Sequence, residues 1–271
     1  MPHLEREGLR FHYLDRGVGL PFFLQHGLGG DSEQPAGLFR PPPSVRLLCL
    51  DCRAHGETRP TGDESRISLR TFASDMDALR ERLGITRAIV GGISMGAAVA
   101  LAIALGRPSW MIGLVLARPA WLAGPMEENA RNYALIAKLI REKGTVRGRE
   151  EFLRSSVYLD MRERSPDAAD SLARQFESPR AEDGVARLER IPGDAPCRDL
   201  RELDEIEVPT LVLANRRDPI HPFEYGEELA RRIRGAELRE LTPKSDDKEK
   251  HAEDYQRALE DFFTRHFSGT P

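Results

Sequence analysis

The chain has 271 residues, 40% hydrophobic and 31% charged, with a formal net charge of -4, which suits one large α/β domain or a domain carrying an insertion. Arginine outnumbers lysine 35 to 5, but the arginines are scattered among 44 acidic residues with no basic block interleaved with aromatics, so no nucleic-acid partner is expected. The first residues, Met1-Pro2-His3-Leu4-Glu5-Arg6-Glu7, lack a signal-like apolar core. No apolar run reaches the roughly 18 residues of a membrane span. The expectation is a soluble, cytoplasmic protein with no membrane partner.

Apolar, strand-like runs fall at residues 9–13, 21–25, 45–50, 88–90 and 112–117, with helical periodicity at 68–83 and 97–107 between the later ones. Phe72, Met76, Leu79 and Leu83 mark one face of the first of these helices. Continuous apolar strands alternating with helices predict an α/β fold: a mostly parallel central sheet covered by helices on both sides.

From residue 121 to 205 the texture changes. Charge density rises, strands vanish, and 126–143, 150–158, 166–177 and 181–190 read as helices. The pattern then returns with a strand at 209–214, another at 236–241 and a closing helix at 251–267. The expected division is therefore a core of residues 1–120 and 206–271 with a helical insertion, 121–205. There is no internal repeat, and Pro41-Pro42-Pro43 is a stiff loop too short to be a recognition ligand.

Three cysteines, Cys49, Cys52 and Cys197, do not make a redox or metal framework. Cys49-Leu50-Asp51-Cys52 has CxxC spacing, but it lacks a second pair and begins inside a strand-like run rather than opening a helix. No metal and no cofactor are expected.

Chemistry is concentrated at the loops that follow strands. Gly92-Ile93-Ser94-Met95-Gly96 lies between the apolar run 88–90 and an Ala-rich helix. A strand turning straight into a helix must reverse within a few residues, and small residues flanking the tip allow the close approach. Ser94 would stand at that tip, with the Met95 amide and the positive end of the helix facing any anion formed beside it. An ordinary strand-to-helix turn is the bland alternative.

Further groups converge on the same edge of the sheet. Phe22-Phe23-Leu24-Gln25-His26-Gly27-Leu28-Gly29-Gly30-Asp31 is a strand ending in a glycine-rich loop that can bring the Leu28 amide beside that of Met95. Asp218, in Asp218-Pro219-Ile220-His221-Pro222, follows the strand at 209–214, where open parallel sheets gather their active sites. His251 lies beyond the last strand, after the charged run 244–250. The chain order is Ser94, Asp218, His251.

These segments, with Asp51-Cys52-Arg53-Ala54-His55-Gly56, resemble the α/β-hydrolase family, whose D-x-R-x-H-G stretch the last one is similar to. The resemblance covers almost the whole chain. It implies Ser94 as nucleophile, His251 as general base and then acid, Asp218 as the carboxylate orienting it, and the Leu28 and Met95 amides as an oxyanion hole. It also makes 121–205 a cap over the pocket. Many members place the histidine almost directly after the last strand, whereas here a charged run intervenes.

The chemistry is consistent with those roles, since a serine hydroxyl needs an adjacent base and imidazole has a suitable pKa. His221 is the rival base. Its closeness to Asp218 would set both on one tight loop with little span to reach the serine, and the triad's chain order favours His251. His26 and His55 read as braces of their loops. Arg118, at the end of the strand 112–117, is a candidate for a substrate carboxylate or for an ion pair with a cap acid; Trp121, Phe39 and Tyr158 are candidate pocket residues.

A serine at the elbow excludes the family branches that attack with a carboxylate. The function expected first is hydrolysis of a small ester or related acyl substrate through an acyl-enzyme. Carbon–carbon bond or amide hydrolysis is the alternative, and a slowly turning ligand receptor on the same fold a third. The partner expected is a small-molecule substrate; the sequence is silent on its identity and on oligomeric state.

Overall fold

A computed structural model describes residues 2–268. Its strands are β1 (His3–Arg6), β2 (Leu9–Arg16), β3 (Leu20–Gln25), β4 (Val45–Leu50), β5 (Ala88–Ile93), β6 (Met111–Ala117), β7 (Thr210–Ala214) and β8 (Glu237–Glu240). They form one eight-stranded sheet in the order β1-β2-β4-β3-β5-β6-β7-β8. β1 and β2 are antiparallel to their neighbours, and from β4 to β8 every pairing is parallel.

The helices are α1 (Glu33–Leu38), α2 (Leu69–Arg82), α3 (Met95–Leu105), α4 (Glu127–Phe152), α5 (Ser156–Arg164), α6 (Pro166–Ala173), α7 (Ala186–Arg190), α8 (Phe223–Arg232) and α9 (Lys248–Phe267). The two faces of the sheet carry separate cores, and strand residues are dealt to them alternately as the period of two requires. Phe23, Leu48, Leu50, Val90, Leu114, Leu116 and Val212 pack on the α2 and α3 side. Phe22, Leu24, Leu47, Ile89, Val115, Leu211 and Leu213 pack on the α9 side, against Leu259, Phe262 and Phe263. All of β5 is buried, as a central parallel strand covered on both faces should be.

α3 is apolar around its whole circumference and nearly all buried, because it lies beneath other helices as well as on the sheet. α2 is conventionally capped, its Ser68 side chain accepting from Thr71 N.

Between β6 and β7 the described chain forms α4 to α7 and short 3-10 turns, with no strand. Gly144 (φ 73°) breaks the helical path of α4, close to where the periodicity ends the first helix of this stretch. β1 is absent from the sequence reading: it is a short, half-exposed edge strand without an apolar run, joined to β2 by the left-handed pair Glu7-Gly8.

Candidate active site

Ser94 holds φ 56°, ψ -111°, a left-handed backbone rare for a residue with a side chain. The glycines around it make the bend sterically possible. A Cβ on Gly92 would lie 2.0 Å from the Gly96 carbonyl carbon, and one on Gly96 would lie 2.1 Å from the Gln25 carbonyl oxygen. Backbone meets backbone at both places, so only hydrogen fits. The strained tip is fixed by Ser94 N donating to Ala117 O (2.9 Å) and by Ala98 N donating to Ser94 O (3.2 Å).

The loop after β7 brings two further side chains to this point. Asp218 closes a turn on itself: its Oδ1 accepts from the backbone amides of Ile220 and His221, each at 3.2 Å. The turn swings the imidazole of His221 back over its own carboxylate. His221 Nδ1 donates to Asp218 Oδ2 at 2.9 Å, and the Ser94 hydroxyl donates to His221 Nε2 at 2.9 Å. With the Nδ1 proton committed to the carboxylate, Nε2 is the free acceptor for the serine proton.

His251 stands elsewhere. Its Nδ1 donates to the Thr242 carbonyl at 2.8 Å, and Thr242 N and Oγ1 both donate to Asp254 Oδ2 (3.0 and 2.6 Å). These bonds fasten the first turns of α9 to the loop after β8. The charged run before His251 supplies the N-cap of α9, Asp247, so the histidine enters as a buried helical residue rather than at a loop tip. The reading from chain order thus differs from the geometry: the histidine on Ser94 is His221. A three-residue step from Asp218 reads as too short to span to the serine, but the aspartate turn makes it long enough.

Arg118 also departs from its expected place. It ends β6 with φ 48°, and its guanidinium meets Asp218 Oδ2 through Nε (3.1 Å) and Nη2 (2.5 Å), with Nη2 3.2 Å from His221 Nδ1. It is paired to the carboxylate of the loop, not to an acid of the α4 to α7 segment. Burial by itself would raise the Asp218 carboxyl, but the adjacent imidazole and guanidinium outweigh it and hold the group far below the usual carboxylate range. His221 is shifted below the ordinary 6.5: burial lowers it most, Asp218 pulls it up, and Arg118 and Lys244 push it down.

His251 is driven lower still, to about 4, chiefly by burial. Lys244, in the loop after β8, falls to about 8 because it is buried and near Arg118. Tyr133 of α4 is raised to about 12 by burial and by the charge of Asp218.

The glycine loop after β3 lies alongside. A Cβ on Gly27 would be 3.6 Å from Ser94 Cβ. Gly27 N donates to Gln34 Oε1 (2.7 Å), and Gly27 O accepts from His26 Nδ1 (2.8 Å) and Gly30 N (3.0 Å). Because N–H and C=O point oppositely across a trans peptide, fastening the Gly27 carbonyl turns the Leu28 amide away from it. The Met95 amide opens α3, where the first N–H groups have no intrahelical acceptor.

Neighbouring loops are braced by Asp51, which accepts from Ser32 N (2.7 Å) and Glu57 N (2.8 Å), and by the buried pair Arg53–Asp75.

The other candidates are packing residues. Phe39 is fully buried on the α9 side of the sheet, edge-on to Phe22 at 5.9 Å and beside Phe263. Tyr158 packs edge-on against Phe152 at 5.6 Å. Trp121 is buried and its Nε1 donates to Asp194 O at 3.1 Å, which ties the start of the helical segment to its end. Cys49 and Cys52 are buried free thiols pushed well above their ordinary range by burial. Among the described residues, no group of His, Cys, Asp or Glu is placed to hold a metal ion.

Comparison with known proteins agrees with this architecture. The family described as alpha/beta hydrolase fold matches residues 21–247. The chain belongs to that family, and it is a hydrolase. It is 27% identical to a 2-hydroxymuconate semialdehyde hydrolase of Pseudomonas putida over 96% of this chain and 94% of that one. It is 24% identical to 3-oxoadipate enol-lactonase 2 of Acinetobacter baylyi, covering 82% of this chain and 86% of that one. Among solved structures, the enol-lactonase from Burkholderia xenovorans superposes with a TM-score of 0.73 at 25% identity, covering 97% of this chain and all of the other. Among the described residues no helix is long and apolar enough to cross a membrane.

Proposed function

We propose that this α/β hydrolase cleaves a small ester or related acyl substrate through an acyl-enzyme, with Ser94 as nucleophile, His221 as base and acid, and Asp218 as the orienting carboxylate. The observation that carries the reading is the unbroken chain from Ser94 Oγ to His221 Nε2 and from His221 Nδ1 to Asp218 Oδ2, 2.9 Å at each step.

As Ser94 Oγ bonds to the substrate carbonyl carbon, its proton passes to His221 Nε2, and Asp218 stabilises the imidazolium. The amides of Leu28 and Met95 receive the oxygen that becomes anionic. Collapse expels the leaving group, which takes the proton from Nε2. A water activated by the same nitrogen then releases the acid and restores Ser94.

Residues 121–205 act in this reading as a cap. Two contacts support it: Asn129 Nδ2 donates to Ile220 O in the Asp218 loop (3.3 Å), and Gln175 packs directly over Gly29. A second reading, cleavage of a carbon–carbon bond, is favoured by the similarity to the semialdehyde hydrolase along nearly the full chain.

A panel of p-nitrophenyl esters, lactones and 2-hydroxymuconate semialdehyde, run beside Ser94→Ala, tests both. Steady turnover of esters or lactones that vanishes in Ser94→Ala supports the first. Turnover confined to the semialdehyde selects the second, and ester turnover surviving in Ser94→Ala refutes the serine mechanism.

A further inference from the structure

Arg187 of α7 is almost entirely buried, yet none of the carboxylates among the described residues pairs with it. Its donors go instead to four carbonyls and a hydroxyl. Nη1 bonds Arg180 O (2.7 Å), Gly184 O (2.8 Å) and Ala54 O (3.4 Å), Nη2 bonds Ser178 Oγ (3.2 Å), and Nε bonds Leu28 O (3.3 Å). Burial and the neighbouring Arg180 bring it down to about 10, so it remains a cation at neutral pH. A buried charge with no carboxylate bonded to it is costly, and beyond the pull of Asp183, itself paired to Arg180, the compensation is a ring of carbonyl dipoles. Two of those carbonyls, Leu28 and Ala54, belong to the loops after β3 and β4 rather than to the helical segment.

The Leu28 carbonyl has one other partner, His55 Nε2 at 2.9 Å, but His55 Nδ1 also faces a carbonyl, that of Arg53, at 2.8 Å. Burial lowers His55 well below 6.5, so the ring is neutral and has a single N–H for two acceptors. Arg187 Nε–H is the donor to Leu28 O that does not depend on the tautomer. On the preceding peptide, Gly27 O is already fixed by His26 and Gly30. The Leu28 N–H shares the plane of the Gly27 carbonyl, and the Leu28 carbonyl anchors the plane that follows, so Arg187 holds Leu28 from its far side and keeps the plane that carries the N–H from swinging about that residue. The same loop is closed from above by Gln175, whose Nε2 would lie 2.2 Å from a Cβ on Gly29.

We propose that Arg187, from the helical segment 121–205, is a positioning residue for the Leu28 amide that stabilises the oxyanion. This rests on the serine mechanism proposed above. The segment is then more than a lid: it completes the catalytic loop, and replacing it with a short linker would impair the chemistry as well as broaden specificity.

The test compares wild type with Arg187→Met, which keeps the stem and removes every donor, on a p-nitrophenyl ester and on an alkyl boronic acid that forms a tetrahedral adduct with the serine. Misdirecting one oxyanion donor should lower kcat about 100-fold. KM and the acid limb of the pH profile should stay put, and boronic acid affinity should weaken by a similar factor. Where Arg187→Met does not fold, Arg187→Lys carries the same comparison, since the ammonium can still bond the Arg180 and Gly184 carbonyls while losing Nε–H to Leu28. A folded variant with unchanged kcat, or one whose kcat falls while boronic acid affinity holds, overturns the proposal. Ser94→Ala alongside separates the two levels: activity there breaks the serine mechanism, whereas an inactive Ser94→Ala beside wild-type-like Arg187 variants overturns only the role of Arg187.

Discussion

His221 Nε2 lies 2.9 Å from Ser94 Oγ across 127 residues of sequence, while the same ring, three residues from Asp218, is held to that carboxylate at 2.9 Å. In the proposed mechanism base and orienting acid therefore share one loop, and a single turn fixes both. What reaches across the sheet is the loop as a unit, anchored by β7 on one side and by the N-terminus of α8 on the other.

The first prediction concerns pH. His221 must be neutral to accept the serine proton, and its pKa is displaced below 6.5. Activity should therefore rise on the acid side of pH 6.5 and be flat above it. The charged groups that act on this ring are Asp218, Arg118 at the end of β6 and Lys244 after β8. Removing a cation favours the imidazolium, so Arg118→Met should move the acid limb to higher pH, with plateau kcat reduced by about tenfold or less, about 1.4 kcal/mol. A kcat–pH profile that stays in place or moves to lower pH contradicts this.

Asp218→Asn keeps the size of the side chain but can offer an N–H where the carboxylate accepted one, which favours the wrong imidazole tautomer. It should lower kcat by about 10⁴-fold, as loss of the orienting acid does in serine hydrolases, with the fold retained. The check is kcat with circular dichroism on the same sample. A loss under tenfold would assign Asp218 a structural role.

At the elbow, Gly92→Ala and Gly96→Ala place a methyl about 2 Å from backbone atoms. Neither neighbour is a flexible side-chain end, so the strand and helix must separate. Each should destabilise by about 3 kcal/mol or more in urea unfolding and should slow labelling of Ser94 by a fluorophosphonate. Wild-type stability in either variant would mean that the bend is looser than described.

His251 should matter for stability rather than chemistry. Removing it orphans the Thr242 carbonyl and leaves a buried space, at a cost of about 1–3 kcal/mol. Its folded pKa is about 4 against an ordinary 6.5, so the folded state favours the neutral ring. That stability is present above about pH 6.5 and is lost as pH falls toward 4. Unfolding free energy of the wild type should drop across that window, and His251→Ala should show a shallower drop. Parallel curves would disprove the linkage.

Much of this was legible in the sequence. The parallel sheet could be read because β3 to β7 are apolar on both faces, and the elbow because Gly92 and Gly96 have a steric task that no other residue can perform. β1 was not, since a half-exposed edge strand has no apolar run to betray it. Chain order points to His251 while the geometry sets His221 on Ser94, because chain order carries no information about a turn: Asp218-Pro219-Ile220-His221 holds the needed signal, an aspartate two and three residues before amides it can cap, but its reach depends on where β7 ends. The partner of Arg118, and the role of Arg187 altogether, lie beyond sequence reasoning for a related reason. An arginine among 35 gives no sign that it is buried, and only the packing of loops from four strands reveals its partners.

Two histidines, His221 beside Ser94 and His251 at the start of α9, are the rivals for its proton. The most direct measurement is the rate of acyl-enzyme formation, followed as the burst of p-nitrophenol in the first turnover, in His221→Ala and His251→Ala. His221→Ala should lose at least about 10³-fold, nearly as much as Ser94→Ala, because members of a triad fail as a unit. His251→Ala, assayed where it is folded, should keep its burst within a few-fold. A dead His251→Ala beside an active His221→Ala would contradict the assignment and return the base to the start of α9.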